Sequence, residues 1–442
     1  MTCCFAAAVA LGAALAAQTS GLHALVQSET PDLVATYKQL HQAPELSHQE
    51  AKTAAFMAAQ LRAAGYQVTD HLGHYDNPKW TGYGLVAVLR NGPGPTLWIR
   101  SELDALPVAE QTGLPYASHV TAKSDDGATV PVMHACGHDI HMTVLLGTAR
   151  AMVRLRSQWH GTLVFVGQPA EETINGAHAL LADNIYTRFP KPDMVIALHD
   201  TPGLAAGHVG VTPGYSMASA TSVSITLHGR SAHGSLPEAS KDPVVAAAEL
   251  VMSLQTIVSR ETSPFDQAVV TVGSIQAGTK NNIIPDSATL LLTVRTYKEE
   301  VRQRILASIR RMAAGIAQTD GLPANEPPEI KVYEYTPALY NDPALSNRLS
   351  AVFARALGAA NVSTTAPVMA SEDFGAYGLD GHKIPVCMFS LGAVDAAALA
   401  ASQKSGVPLP SLHSSKFAPL PAPTIATGVT AMTSAALELL GK

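Results

Sequence analysis

The sequence predicts an α/β protein built on a central sheet, with a smaller ferredoxin-like α+β domain inserted into it. Three observations carry this. Short apolar runs of strand length alternate with helical stretches over the first half of the chain, the order that builds an open sheet with helices on both faces. From about Ser216 the order changes to β-α-β-β-α-β, that of a ferredoxin-like unit. From Thr336 onward the first pattern resumes. At 442 residues the chain also exceeds what one hydrophobic core usually serves, so two domains are expected.

The elements follow in chain order. Cys3–Ala17 is almost wholly apolar and ends in Ala14-Leu15-Ala16, the length and ending of a secretory h-region, although the first basic residue is Lys38. Residues 1–28 are therefore read as a signal peptide and N-terminal arm, which predicts a periplasmic or secreted protein; if the segment is not a signal, the protein is cytoplasmic. Cys3 and Cys4 would leave with the signal. Cys136 and Cys387 would remain, in separate contexts that make no disulfide framework. Helical periodicity with a Gly65 stop covers Gln49–Ala64. Strands are expected at Gly84–Leu89, Thr96–Arg100, Leu163–Val166 and Met194–Leu198, with a buried helix at Met142–Leu155. The insert takes strands Thr221–Leu227, Ala268–Ile275, Ser287–Thr296 and Glu329–Tyr335, and helices Pro243–Arg260 and Glu299–Gln318. Gly321–Pro328 reads as a loop inside it. A helix near Pro343–Leu357 and a strand near Ile384–Leu391 return to the larger domain. The domains are accordingly 29–215 with 336–442, and 216–335.

Composition narrows the function classes. Hydrophobic content of 47% with 14% charged residues excludes a disordered chain, and a net charge of −6 gives no basic footprint for nucleic acid. No apolar run is long enough for a membrane-spanning helix.

Between Met133 and His141 the chain packs His134, Cys136, His138, Asp139 and His141 into nine residues. Imidazole and thiolate are the ligands that borderline-soft divalent metals prefer. Gly137, between Cys136 and His138, lets the backbone bend so that both can converge. Alone, the cluster also fits a loop with a buried cysteine and surface histidines. Other polar residues fall after strands: Glu102 and Asp104, Glu171 and Glu172, and His199. Ligands in open α/β sheets bind outside the carboxyl ends of the strands, so three such placements read as the rim of an active site. Beside a cation, Glu171 and Glu172 can divide the work, one ligating and the other acting as general base; without one they are a solvated turn. In extended chain Glu102 and Asp104 face the same way, and Asp104 suits the free ring nitrogen of a ligand histidine. A surface turn before Pro107 is the alternative. With 17 histidines most must be bystanders, and His23, His41, His48, His71, His74 and His382 are assigned to that class.

Met-His-Ala-Cys-Gly-His-Asp, Gln-Pro-Ala-Glu-Glu, Asp-Ala-Leu-Pro and Ser-Glu-Asp-Phe stand here in the order seen in the aminoacylase/carboxypeptidase-like di-metal peptidases. From about Leu33 to the C-terminus the chain resembles their amidohydrolase branch, which includes hippurate hydrolase, N-acyl-amino-acid amidohydrolases and indole-acetyl-amino-acid hydrolases. The resemblance implies a catalytic domain with a central mixed sheet and a smaller dimerisation, or lid, domain through which a homodimer forms. It implies two divalent metal ions per subunit, zinc or manganese, with cobalt or nickel as alternatives, held by Cys136, His138, Glu172, His199 and His413. Glu171 would be the general base, Asp104 the orienting carboxylate and His233 the residue that stabilises the oxyanion. Asn282 and Arg295 match positions that hold a substrate carboxylate, Arg295 being as well suited to a structural salt bridge. Two features depart from the family pattern: Glu102-Leu103-Asp104 replaces the usual Asp-Met-Asp, and loops around Thr121–Pro131 and Val394–Pro410 look longer.

The expected function is metal-dependent hydrolysis of an N-acyl-amino acid or a similar amide with a free carboxylate. A dipeptidase or carboxypeptidase on the same scaffold is the enzymatic rival. A binding protein with a structural metal is the other, but a closed four-coordinate site has no use for a spare base such as Glu171.

Overall fold

The structure, a computed structural model, describes the backbone of residues 2–379 and 381–441 and side chains from Ser20 onward. The side chains of the expected signal, with Cys3 and Cys4, lie outside the described residues. Helices α1 (Thr2–His41) and α2 (Ala51–Ala63) precede strands β1 (Gln67–Leu72), β2 (Gly84–Asn91) and β3 (Thr96–Glu102). Then come β4 (Thr121–Lys123), β5 (Thr129–Pro131), α3 (His138–Arg154), β6 (Gly161–Gln168), α4 (Gly176–Ala182), α5 (Ile185–Arg188), β7 (Met194–Ala205) and β8 (Val209–Val211). The middle of the chain forms β9 (Gly214–Met217), β10 (Ser219–His228), β11 (Ala232–His233), α6 (Pro243–Thr256), β12 (Ala268–Ala277), β13 (Ile283–Ile284), β14 (Ser287–Thr296), α7 (Glu299–Thr319) and β15 (Glu329–Thr336). It closes with β16 (Leu339–Asn341), α8 (Pro343–Leu357), β17 (Val362–Thr364), β18 (Val386–Val394), α9 (Ala396–Ser405) and α10 (Pro421–Leu439). Two compact units result: Met1–Gly214 with Tyr340–Ala366 and Tyr377–Lys442, and Tyr215–Leu339 with Pro367–Ala376. The sequence reading drew the insert at 216–335 and left Pro367–Ala376 with the larger domain.

The first unit holds an eight-stranded mixed sheet in the order β1-β2-β6-β3-β7-β18-β8-β17. Its four central strands, β6, β3, β7 and β18, run parallel, so their carboxyl ends lie at one edge. Strands β2, β3 and β6 are buried along nearly their whole length, the pattern of strands covered on both faces. Tyr37, Met57, Ile99, Ile140, Trp159, Phe165, Phe389 and Val429 share one core.

Four local readings change. Leu22 and Val26 of α1 are buried in this core, so residues 20–28 are core helix where an arm was expected. The Thr121–Pro131 loop contains the β4–β5 hairpin. The Val394–Pro410 loop contains α9, capped by the Asp395 side chain, which accepts from Ala398 N at 2.9 Å, and ended by Gly406 at φ +73°. Strand β7 continues past His199; β3 leaves it after Ala197, while β18 stays paired beyond.

In the second unit β10, β12, β14 and β15 form an antiparallel sheet in the order β12-β14-β10-β15. With α6 and α7 this is the ferredoxin-like arrangement the element order predicts. Burial alternates residue by residue along β14, as a sheet with one covered face requires. Leu250, Leu254, Leu290, Leu292, Ile305 and Ile309 make its core.

Candidate metal centre

The carboxyl ends of the central strands bring chemistry together, as the sheet geometry dictates. Between the hairpin and α3, Gly137 takes φ +80°, which glycine alone adopts freely. A side chain there would also strike the buried carboxylate of Asp200. The bend sets Cys136 just before α3 and His138 on its first turn. After β6, a tight turn carries Glu171 and Glu172. His199 comes from β7, and His413 from the segment before α10, its N–H donating to Ala135 O at 2.8 Å.

These side chains converge. Cys136 Sγ lies 3.5 Å from His199 Nε2 and 3.2 Å from His413 Nε2. His413 Nε2 is 3.5 Å from Glu172 Oε2, and His138 Nε2 is 3.9 Å from Glu172 Oε1 and 3.7 Å from Glu171 Oε2. Ligands around a shared tetrahedral ion stand about 3.3–3.8 Å apart when each bond is 2.0–2.3 Å. Cys136, His138 and His199 form one set of mutually close donors, and Cys136, Glu172 and His413 another. The two sets share the sulfur. His138 Nδ1–H donates to Asp104 O at 2.8 Å and His199 Nδ1–H to Asp200 O at 2.8 Å. Both rings therefore turn Nε2 toward the cluster. His413, 56% exposed, marks its solvent side.

The surroundings favour positive charge. Burial opposes a proton on His138, but its hydrogen bond to Asp104 and the charges of Glu102 and Glu172 outweigh that and push its pKa up to about 10. Burial raises the Cys136 thiol well above its ordinary range, and Glu172, Glu171, Asp200 and Glu102 push the same way. A thiolate is stable here only beside a cation. Three buried atoms, Asp104 Oδ1, His138 Nε2 and Asp200 Oδ2, have no hydrogen-bond partner among the described residues. Soft and hard donors, short separations and orphaned polar atoms all fit divalent ions.

Asp104 Oδ2 accepts from Ser47 Oγ at 2.7 Å and Glu172 N at 2.9 Å, so it holds the turn as well as the histidine. Glu102 turns elsewhere: it pairs with Arg100 and takes His141 Nδ1–H at 2.9 Å. His141 Nε2 accepts from Asp200 N at 2.8 Å. This buried chain, with Asp200, went unread in the sequence; its partners stand 39 and 59 positions apart.

The remaining candidates belong to the second unit. Ser235 N and Oγ both donate to His233 Nδ1, at 3.1 and 2.7 Å, which leaves Nε2–H as a donor on an exposed ring. Gly234 N donates to Asn282 O at 2.8 Å, and β11 pairs with β13, so His233 and Asn282 are neighbours. Arg295 is half-buried and bonds Ser371 Oγ and, at 3.0 Å, Thr293 Oγ1.

Known proteins resemble this chain in sequence and fold. The pattern of peptidase family M20/M25/M40 fits residues 98–414. The N-acetyldiaminopimelate deacetylase of Limosilactobacillus fermentum is 37% identical over 84% of this chain and 91% of its own. The hippurate hydrolase of Campylobacter jejuni is 37% identical over 76% of this chain and 82% of its own. A dinuclear metal-binding peptidase of Bacillus subtilis superposes with TM-score 0.73 at 29% identity, over 94% of this chain and 99% of that one. At such coverage and identity the chain belongs to peptidase family M20/M25/M40, and its enzyme class is that of the metal-dependent amidohydrolases and peptidases.

Proposed function

We propose that the protein hydrolyses N-acyl-amino acids, or closely related amides with a free carboxylate, with Glu171 as general base. The observation that supports this most is the meeting of Cys136, His138, Glu172, His199 and His413 with a further buried carboxylate, Glu171, beside them. The five donors would hold two divalent ions, zinc or manganese. When bound, such ions supply Lewis acidity, which makes water nucleophilic at neutral pH and polarises a carbonyl. Glu171 takes the proton from the attacking water and passes it to the leaving amine. Asp104 fixes the ring of His138. His233 donates Nε2–H to the oxyanion, and Asn282 and Arg295 receive the substrate carboxylate. The relatives that deacetylate N-acetyldiaminopimelate or hydrolyse hippurate support the substrate class. The apolar run Cys3–Ala17 supports an exported protein, and the exposed apolar face of α6 supports a homodimer.

The test uses hippurate, N-acetylcysteine and a dipeptide panel, each with zinc, manganese or no added metal. Glu171→Gln is expected to cut kcat by at least about a thousandfold and to keep the metal content of the wild type. Loss of metal together with activity would make Glu171 a ligand instead. Turnover of dipeptides only would move the protein to the peptidases of its family.

A further inference from the structure

Glu50 lies at the start of α2, far in sequence from the metal cluster, yet it is fully buried. Its Oε1 accepts the backbone N–H of Ala170 at 2.8 Å and that of His48 at 3.0 Å. Ala170 is the residue before Glu171 and takes φ +51°. A side chain in this left-handed region is strained and persists only where surrounding contacts impose it. The other end of the same residue is also tied: Ala170 O accepts from Gly176 N at 3.1 Å and Thr173 Oγ1 at 3.2 Å. On the far side of Glu171, Glu172 N–H is held by Asp104. Two buried carboxyls thus grip the turn, one on each side of the base.

We propose that Glu50 is a positioning residue for the hydrolysis, acting through Ala170 to hold the strained turn that aims Glu171. The proposal rests on the reading of Glu171 as general base. Burial, and then the charge of Asp104, hold the Glu50 carboxyl well above the ordinary carboxylate range. Its part is that of an acceptor, through Oε1, which glutamine reproduces and alanine does not. A change of even 1 Å in the placing of a base can lower a rate about a hundredfold.

The experiment compares wild type, Glu50→Ala, Glu50→Gln and Glu171→Gln on hippurate, far below their melting temperatures, with metal content measured for each. Glu50→Ala is expected to lose at least about tenfold in kcat, with KM within about threefold and metal content unchanged. Glu50→Gln is expected to keep kcat within about threefold of wild type. Should Glu50→Ala not fold, Glu50→Asp, too short by one methylene to reach Ala170 N, takes its place with the same expected loss. An undiminished kcat in Glu50→Ala, or a Glu50→Gln as slow as Glu50→Ala, would overturn the proposal while an inactive Glu171→Gln leaves the base reading standing. An active Glu171→Gln would overturn both.

Discussion

Position 137 illustrates how much one residue decides. Gly137 carries a positive φ, and the place a Cβ would take there is filled by the carboxylate of Asp200. Gly137→Ala is expected to lower stability by at least about 2 kcal/mol, seen as a lower urea midpoint, and to weaken zinc binding. An unchanged midpoint would show that the bend tolerates a side chain. The glycine was legible because it sits between two candidate ligands. The partners of His41 were not: set among the histidines that ligate nothing, it is buried between Asp139 at 2.7 Å and Glu110 at 3.1 Å. Those partners lie 98 and 69 positions away, so no local pattern marks them. Burial opposes the charge on His41, but hydrogen bonds to Asp139 and Glu110 raise its pKa from 6.5 to about 10. The folded state thus binds this proton more tightly than the unfolded one. The stabilisation is complete below about pH 6.5 and fades as pH rises toward 10. The stability gap between wild type and His41→Gln should therefore narrow steadily between pH 6 and pH 10 in urea titrations. A gap independent of pH would exclude a charged His41. Glu50 and Asp200 escaped the sequence reading for the same reason as the partners of His41.

Among elements, those with a covered face were the legible ones. Strands β10 and β14 alternate and α7 has an apolar stripe, so the ferredoxin-like unit follows from periodicity. The β4–β5 hairpin and α9 have no buried residue in either, hence no apolar period to read. Only the capping pair Asp395 and Gly406 could have disclosed α9. Caps remain the most testable local signals. Asp342 accepts from Leu345 N at 2.7 Å, with Pro343 at the first helical position of α8. Asp342→Ala is expected to cost about 1 kcal/mol in urea denaturation monitored by circular dichroism. No loss would mean that Pro343 alone sets the start of the helix.

For the whole molecule, the second unit leaves apolar surface uncovered. On α6, Val245 is 52% and Met252 71% exposed, and Ile275 on the edge strand β12 is 52% exposed. Exposed apolar groups along an open strand edge are a template for pairing. Val245→Glu with Met252→Glu should convert a dimer to a monomer in sedimentation velocity while leaving the melting temperature within a few degrees. Sedimentation identical to wild type would remove α6 from any dimer contact. The order of the proposed donors along the chain has a consequence for biosynthesis. Cys136, His138, Glu172 and His199 are all translated before the second unit is begun, whereas His413 follows only after that unit is finished. A nascent chain therefore carries one incomplete donor set for the whole time the ferredoxin-like unit is being translated, and the full site is assembled only near the end of synthesis.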